Sequence, residues 1–213
     1  MCKRFKALSW DEVLEVIQAL EEGMPHTLRF NPAGLRLDAF PRSNVPLIGQ
    51  ADQRLTPLKL PWGFRAPWTK HRIIYNARIE TALEQVQGFW REAIDHGRCI
   101  VPTLGFYETC ATETLMDPKT DKPVKRQYQF DLAEGITYLA AICNKEAFSV
   151  MTTQANAIVA PIHRRMPVVL RPEEIDQWLF GDYAALADRS DIPLECHAEA
   201  FRPPKTKLQL TLF

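Results

Sequence analysis

Prolines set the tightest limits on what this chain can become. Pro25, Pro32, Pro41, Pro46, Pro57 and Pro61 punctuate the stretch from Met24 to about Leu60, the last of them closing it. Each fixes φ and lacks a backbone donor. None fits a helix interior, and in a sheet each belongs at an edge, a strand start or a bulge. The spacing predicts short strands of an irregular sheet or barrel and argues against βαβ units.

On either side of that stretch the periodicity changes. Ser9-Trp10-Asp11-Glu12 has the form of a capping box, and the helix it opens carries Val13, Val16, Ile17 and Leu20 on one face before ending near Gly23. A second helix is predicted from about Arg78 to His96, with Ile79, Leu83, Val86, Trp90 and Ala93 at steps of three and four and Gly97 as its stop. Cys99–Thr103 reads as a buried strand, and Gly105–Glu108 as another after a turn. Met116 to Arg126 is a polar hairpin loop, followed by strands at Tyr128–Phe130, Ile136–Ile142 and Phe148–Thr153. Gln154–Ile162 is short and helical or irregular, Met166–Leu170 is a strand, and Pro172 opens a helix through Trp178. After Ser190 the chain ends in alternating Leu208, Leu210 and Leu212, an edge or closing strand. The whole is one α+β domain over residues 1–213, rich in strands.

Composition removes several function classes. The net charge is zero, so the molecule as a whole does not attract nucleic acid. Its charges are segregated, however: Lys59, Arg65, Lys70, Arg72 and Arg78 follow one another with no acid between them. That run is a local basic binding surface or a solvated face. Cys2, Cys99, Cys110, Cys143 and Cys196 form no C-x-x-C pair, which removes zinc ribbons and redox motifs and fits a reducing cytoplasm. No apolar run is long enough for a membrane helix, and no signal-peptide segment follows Met1. A cytoplasmic protein with no membrane partner, no metal and no cofactor is expected.

The chemistry concentrates at the amino end. Removal of Met1 would leave Cys2 with a free α-amine and a thiol on adjacent carbons. Their reference pKa values of about 7.7–8.0 and about 8.5 make both partly nucleophilic near neutrality. An aldehyde meeting this pair forms an imine with the amine, and the thiol then closes a five-membered thiazolidine intramolecularly. Further along, Glu108 is a lone carboxylate among aromatic and apolar neighbours, where burial would raise its pKa and suit it to proton transfer. Asn76, Arg78 and Glu80 stand at a helix entrance, and His163 precedes two arginines. In the basic–aromatic loop Pro61–Trp68, the two tryptophans fit either a core or a stacking platform for unpaired bases.

Taken together these pieces resemble the SOS-response-associated peptidase (SRAP) family of abasic-site processing proteins. Met1-Cys2-Lys3-Arg4-Phe5 is similar to its Met-Cys-Gly-Arg-aromatic start, and Trp62-Gly63 with Pro67-Trp68 to its Trp-Gly…Pro-x-Trp segment. Asn76-Ala77-Arg78-Ile79-Glu80-Thr81 resembles its Asn-Ala-Arg-x-Glu-Thr block, and Arg98-Cys99-Ile100-Val101-Pro102 with Gly105-Phe106-Tyr107-Glu108 its Arg-Cys-x-x-Pro…Gly-Phe-Tyr-Glu block. Thr152-Thr153-Gln154-Ala155-Asn156 and His163-Arg164-Arg165-Met166-Pro167 match two more, in family order, to about residue 170. Lys3 stands where the family has glycine, Thr109 where it has tryptophan, and Asp38–Pro41 lacks the Tyr-Asn before Ala-Pro.

The resemblance implies a β-rich, irregular, barrel-like fold with several flanking helices and a groove for single-stranded DNA containing abasic sites, acting as a monomer that is nucleoid-associated when bound. It implies Cys2 as covalent nucleophile, Glu108 as proton shuttle, His163 as donor to the sugar oxygen and Asn76 as the amide that holds the thiazolidine. Arg4, Arg78 and Arg165 would clamp phosphates, Lys3 would sit beside one, Trp62 and Trp68 would line the groove or stack on bases, and Glu80 would orient Arg78. An N-terminal cysteine hydrolase and a non-catalytic single-strand-binding domain are the alternatives from other classes.

Overall fold

The computed structural model describes residues 2–25, 28, 30, 37–69, 72–84, 87–133 and 135–199 of the 213. Met1, Pro32, Lys70, Val86 and the leucine alternation at 208–212 lie outside the described residues. In chain order come β1 (Arg4–Ala7), α1 (Trp10–Glu21), β2 (Asp38–Ala39), β3 (Asn44–Ala51), β4 (Arg54–Pro61), β5 (Phe64–Arg65), β6 (Ile73–Ile74) and β7 (Asn76–Arg78). There follow α2 (Ile79–Glu84), α3 (Arg91–His96), β8 (Arg98–Met116), β9 (Pro123–Leu132), β10 (Thr137–Cys143) and β11 (Phe148–Gln154). The last elements are β12 (Arg165–Pro167), β13 (Val169–Leu170), α4 (Ile175–Phe180) and β14 (Leu194–Ala198).

Twelve strands form one mixed sheet whose spine runs β12-β11-β10-β8-β1-β2, with β5 and β6 paired separately. The α+β, strand-rich expectation holds. The sheet is open, so the barrel-like closure is not realised.

Both faces of the sheet are covered, and this decides which strands are wholly apolar. In β10, Tyr138, Ala140 and Ile142 pack into a core beneath the helices, while Leu139, Ala141 and Cys143 pack into a second core on the other face. Alternate side chains leave a strand on opposite faces, so a strand covered on both sides reads as an unbroken apolar run. The helix-side core contains Val13, Val16 and Ile17 of α1, Ile94 of α3, and Trp178 of α4, whose Nε1 donates to the Cys99 carbonyl at 2.8 Å. The opposite core contains Cys2, Phe5, Trp62, Phe106, Phe130 and Phe148.

The capping box forms as read: Ser9 Oγ accepts from the Glu12 N–H at 3.3 Å, and Glu12 Oε2 from the Ser9 N–H at 2.8 Å. The expected helix from Arg78 to His96 is instead two short ones, α2 and α3. Gly88 lies between them with its carbonyl accepting from Arg91 N–H, and Trp90 caps α3 without a side-chain bond. Ile79, Trp90 and Ala93 of the apolar spacing pack into the same core, whereas Leu83 is exposed. Gly97 ends α3 for a reason other than handedness: a Cβ there would lie 1.9 Å from the Cys143 carbonyl oxygen.

The proline-rich stretch is less broken than its punctuation suggests. β3 and β4 form an eight-residue hairpin in register from Asn44↔Pro61 to Ala51↔Arg54, with Pro46 and Pro57 inside it. Its turn residues Asp52 and Gln53 both have positive φ, the geometry that matches strand twist. The prolines cost the ladder little because, among the described residues, β4 pairs with β3 alone and β3 pairs with β8 only at Ile48↔Ile100.

The expected turn between Thr103 and Gly105 is also absent, since β8 runs unbroken for 19 residues. It changes partners there, pairing with β10 from Arg98 to Thr103 and with β1 from Thr103 to Tyr107. Phe5 pairs with Phe106 and Ala7 with Thr103, so β8 carries one residue more than β1 across the gap, a β-bulge. Gly105 sits in it at φ 125°. The extra residue reverses the facing of the strand: Cys99 and Val101 enter the core opposite the helices, and after the bulge Phe106 does. Glu108, two residues on, therefore points to the same side as Phe106.

Candidate active site

Three strand pairings bring together residues scattered from 2 to 163. β1 lies beside β8, so Cys2, just ahead of β1, comes next to the carboxyl-terminal half of β8. β7 runs parallel to β11 with Asn76 opposite Val150, and Asn76 Nδ2 donates to the Cys2 carbonyl at 2.8 Å. β12 pairs with β11 on its other side, which sets His163 at the rim with Nδ1 3.8 Å from Glu108 Oε2. Cys2, Asn76, Glu108 and His163 are thus one cluster.

The loop that delivers His163 is fastened by Asn156. Its Oδ1 accepts from the N–H groups of Ile158 and Val159 at 3.1 and 3.0 Å, and its Nδ2 donates to the Ile192 carbonyl at 3.0 Å. The His163 N–H closes the turn onto the Val159 carbonyl at 2.9 Å. His163 Nδ1 lies 2.8 Å from the Arg165 carbonyl and 3.1 Å from its N–H, so either tautomer finds a partner on Arg165.

Burial sets the protonation states. Glu108 is 3% exposed. Desolvation raises its pKa to about 7, against the opposing positive charge of Lys3. The Cys2 thiol, fully buried, is pushed up to about 12, first by desolvation and then by the charge of Glu108. Its Sγ donates to the Arg4 carbonyl at 3.4 Å. Desolvation lowers the His163 pKa. At neutral pH the site therefore holds a neutral thiol, a neutral imidazole and a carboxyl able both to accept and to give a proton. Asn76 adds one acceptor: its buried Oδ1 has no hydrogen-bond partner among the described residues.

The residues expected to contact DNA divide into two groups. Lys3 and Arg78 are exposed, and Trp68 is 65% exposed, edge-on to Phe89 at 5.1 Å. Trp62 is wholly buried, packed against Phe148 at 6.3 Å and donating from Nε1 to the Tyr75 carbonyl, so it is core and offers no face to a base. Arg4 is buried too. It donates to Asp38 and Glu199 at 2.7 Å each and to Gln127 at 2.9 Å, and lies 3.8 Å over the Tyr107 ring. Arg165 is buried in a fork with Glu80 at 2.6 and 2.8 Å and donates to the Thr152 carbonyl at 2.7 Å. Glu80 thus orients Arg165, whereas Arg78 acts on it only through its charge. Asp38, Gln127 and Glu199, which hold Arg4, carry no sequence signal, because each is distant along the chain, the first two on β2 and β9 and the third just past β14.

A family model described as "SOS response associated peptidase (SRAP)" matches residues 1–202. The chain is 30% identical over 196 residues to "Abasic site processing protein YoqW" of Bacillus subtilis, covering 84% of this chain and 80% of that protein. It is 27% identical over 180 residues to "Abasic site processing protein YedK" of Escherichia coli, covering 84% and 79%. Among solved structures, a phage-related protein of Bordetella bronchiseptica shares the fold with TM-score 0.66 and 24% identity, covering 93% of this chain and 94% of that one. A protein of Bacteroides thetaiotaomicron does so with TM-score 0.63 and 21% identity over 92% and 91%.

Proposed function

This chain belongs to the SOS response associated peptidase family, and on that footing we propose that it processes abasic sites in DNA by capturing the open-chain sugar aldehyde on Cys2. The observation that carries the reading is the gathering of Cys2, Asn76, Glu108 and His163 into one cluster, buried except for His163 at its rim, with a carboxyl poised near neutrality.

With Met1 removed, the Cys2 α-amine adds to C1 of the aldehyde and water leaves, giving an imine. The Cys2 sulfur then adds to that carbon as its proton passes to the ring nitrogen, and a thiazolidine closes. A thiol held at about 12 does not ionise unaided, so its proton needs a local acceptor, and Glu108 at about 7 is the group whose charge Cys2 feels. Glu108 also supplies the proton that turns the departing hydroxyl into water. Neutral His163 at the rim serves the sugar hydroxyl during ring opening. Asn76 holds the Cys2 carbonyl and turns its open Oδ1 toward whichever donor enters. Single-stranded DNA would lie along Lys3, Arg78 and Trp68, the exposed members of the set.

The test is incubation of purified protein with a single-stranded oligonucleotide bearing one abasic site, followed by denaturing electrophoresis. A heat-stable adduct is expected from the wild type and none from an intact strand. Cys2→Ala should give none, and Cys2→Ser at most an imine that survives only after borohydride reduction. An undiminished stable adduct from Cys2→Ala would end the proposal.

A further inference from the structure

Strands β9 and β14 carry a second cluster that the reaction does not use. Asp131 and Glu195 are direct cross-strand partners, so two carboxylates face each other across an antiparallel pair, an arrangement that draws positive charge, with His197 and Lys6 the cations acting on Asp131 in the fold. His197, two residues beyond Glu195 on the same face, places Nε2 3.2 Å from Glu195 Oε2 and 3.7 Å from Asp131 Oδ1. One ligand atom from each of the three lies within 4.8 Å of the others. Four ligands at about 2.0–2.2 Å around zinc stand about 3.4 Å apart, so little rearrangement is needed.

Asp131 has the surroundings of a supported ligand, while Glu195 and His197 stand exposed at the surface. Asp131 is half-buried, and its Oδ2 accepts from Gln129 Nε2 at 2.8 Å, which leaves Oδ1 turned to the imidazole. Gln129 is itself fixed, donating to the Leu104 carbonyl at 3.1 Å and accepting from Tyr107 OH at 2.8 Å. Metal-binding carboxylates are oriented by such outer hydrogen bonds. Asp131 and His197 also line a cavity of about 460 Å³ with Lys6, Leu104, Gln129 and Ile136, which leaves room for water in a fourth position.

We propose that Asp131, Glu195 and His197 form a zinc-class divalent cation site that ties β14 to β9 and, through Gln129, braces the bulge at Leu104 and Gly105. One imidazole with two carboxylates suits zinc; magnesium and calcium favour all-oxygen shells with more ligands. Cys196 lies between the ligands in sequence and on the opposite face of β14, so thiol capture is a separate event.

Calorimetric titration of the full chain with ZnCl2 in a non-chelating buffer at pH 7.5 tests this. One equivalent should bind and raise Tm, MgCl2 should do neither, and Co2+ should give the visible absorption of a low-coordinate site. His197→Ala and Asp131→Asn should each weaken zinc binding at least tenfold, while Cys196→Ser leaves it unchanged. Absence of binding up to millimolar zinc, or binding that survives His197→Ala and disappears with Cys196→Ser, overturns the site. The abasic-site adduct assay is read separately, so either proposal can fail without the other.

Discussion

At the scale of the residue, Glu108 carries the pH behaviour. Its pKa of about 7 in the fold stands above the ordinary carboxyl value of 4.5, so the folded state binds this proton more tightly than the unfolded chain. Its contribution to stability is therefore complete below pH 4.5 and lost as pH rises toward 7, a change on the order of 3 kcal/mol. Glu108→Gln should flatten that part of the stability profile and make the variant the more stable protein at pH 8, as measured by urea unfolding at pH 5 and pH 8. The same substitution should slow adduct formation and abolish an inflection near pH 7 in its rate. Glu108 could be read from the sequence because a single acid amid Phe106, Tyr107 and Cys110 has few outcomes other than a raised pKa. The partners of Arg4 could not, since Asp38 and Glu199 lie 34 and 195 residues away and meet it only after the sheet forms.

At the scale of the element, β8 holds the information that periodicity missed. The sequence suggests a turn just ahead of Gly105, because turns and bulges use the same backbone freedom; the structure has a bulge inside one strand. Gly105→Ala places a Cβ 2.9 Å from the Phe130 carbonyl at φ 125°, so it should cost about 1–3 kcal/mol and reduce adduct yield through the misplaced Glu108. Chemical denaturation of the variant, paired with the adduct assay, checks both effects. The two tryptophans of the basic–aromatic loop separate in the same way. Trp62→Ala should cost about 3–5 kcal/mol of stability as a core truncation. Trp68→Ala should change stability by about 0.5 kcal/mol or less while weakening single-strand binding by about 1–3 kcal/mol. Both lie in one basic–aromatic stretch of sequence, but Trp62 is drawn inward by backbone bonds to Ser43 and Arg42, by its Nε1 bond to Tyr75 and by packing on Phe148, partners that lie outside that stretch.

At the scale of the whole molecule, a neutral total hides an uneven use of charge. Arg4 and Arg165 are consumed by carboxylates inside the protein, so on the proposed reading a phosphate backbone would meet surface cations such as Lys3 and Arg78. Lys3→Ala and Arg78→Ala should each lower the slope of log affinity against log salt by about 1 with little loss of stability. Arg4→Ala should leave that slope nearly unchanged and destabilise the fold by about 3–5 kcal/mol, because Asp38 and Glu199 lose their counter-charge. Fluorescence anisotropy across a salt series, with a melting curve for each variant, separates the two outcomes. The prolines, the strand order along the chain and the motif blocks were enough to foresee a strand-rich α+β molecule. Whether its sheet closes depends on pairings between distant strands, and no local pattern encodes them.

The surplus residue opposite β1 makes strand length itself a condition of where Glu108 stands. Deleting Leu104 would keep every neighbouring side chain and yet turn the acid toward the apolar layer under α1, α3 and α4, away from the thiol. Residue count along this strand therefore sets which layer the acid enters, independently of which side chains stand beside it.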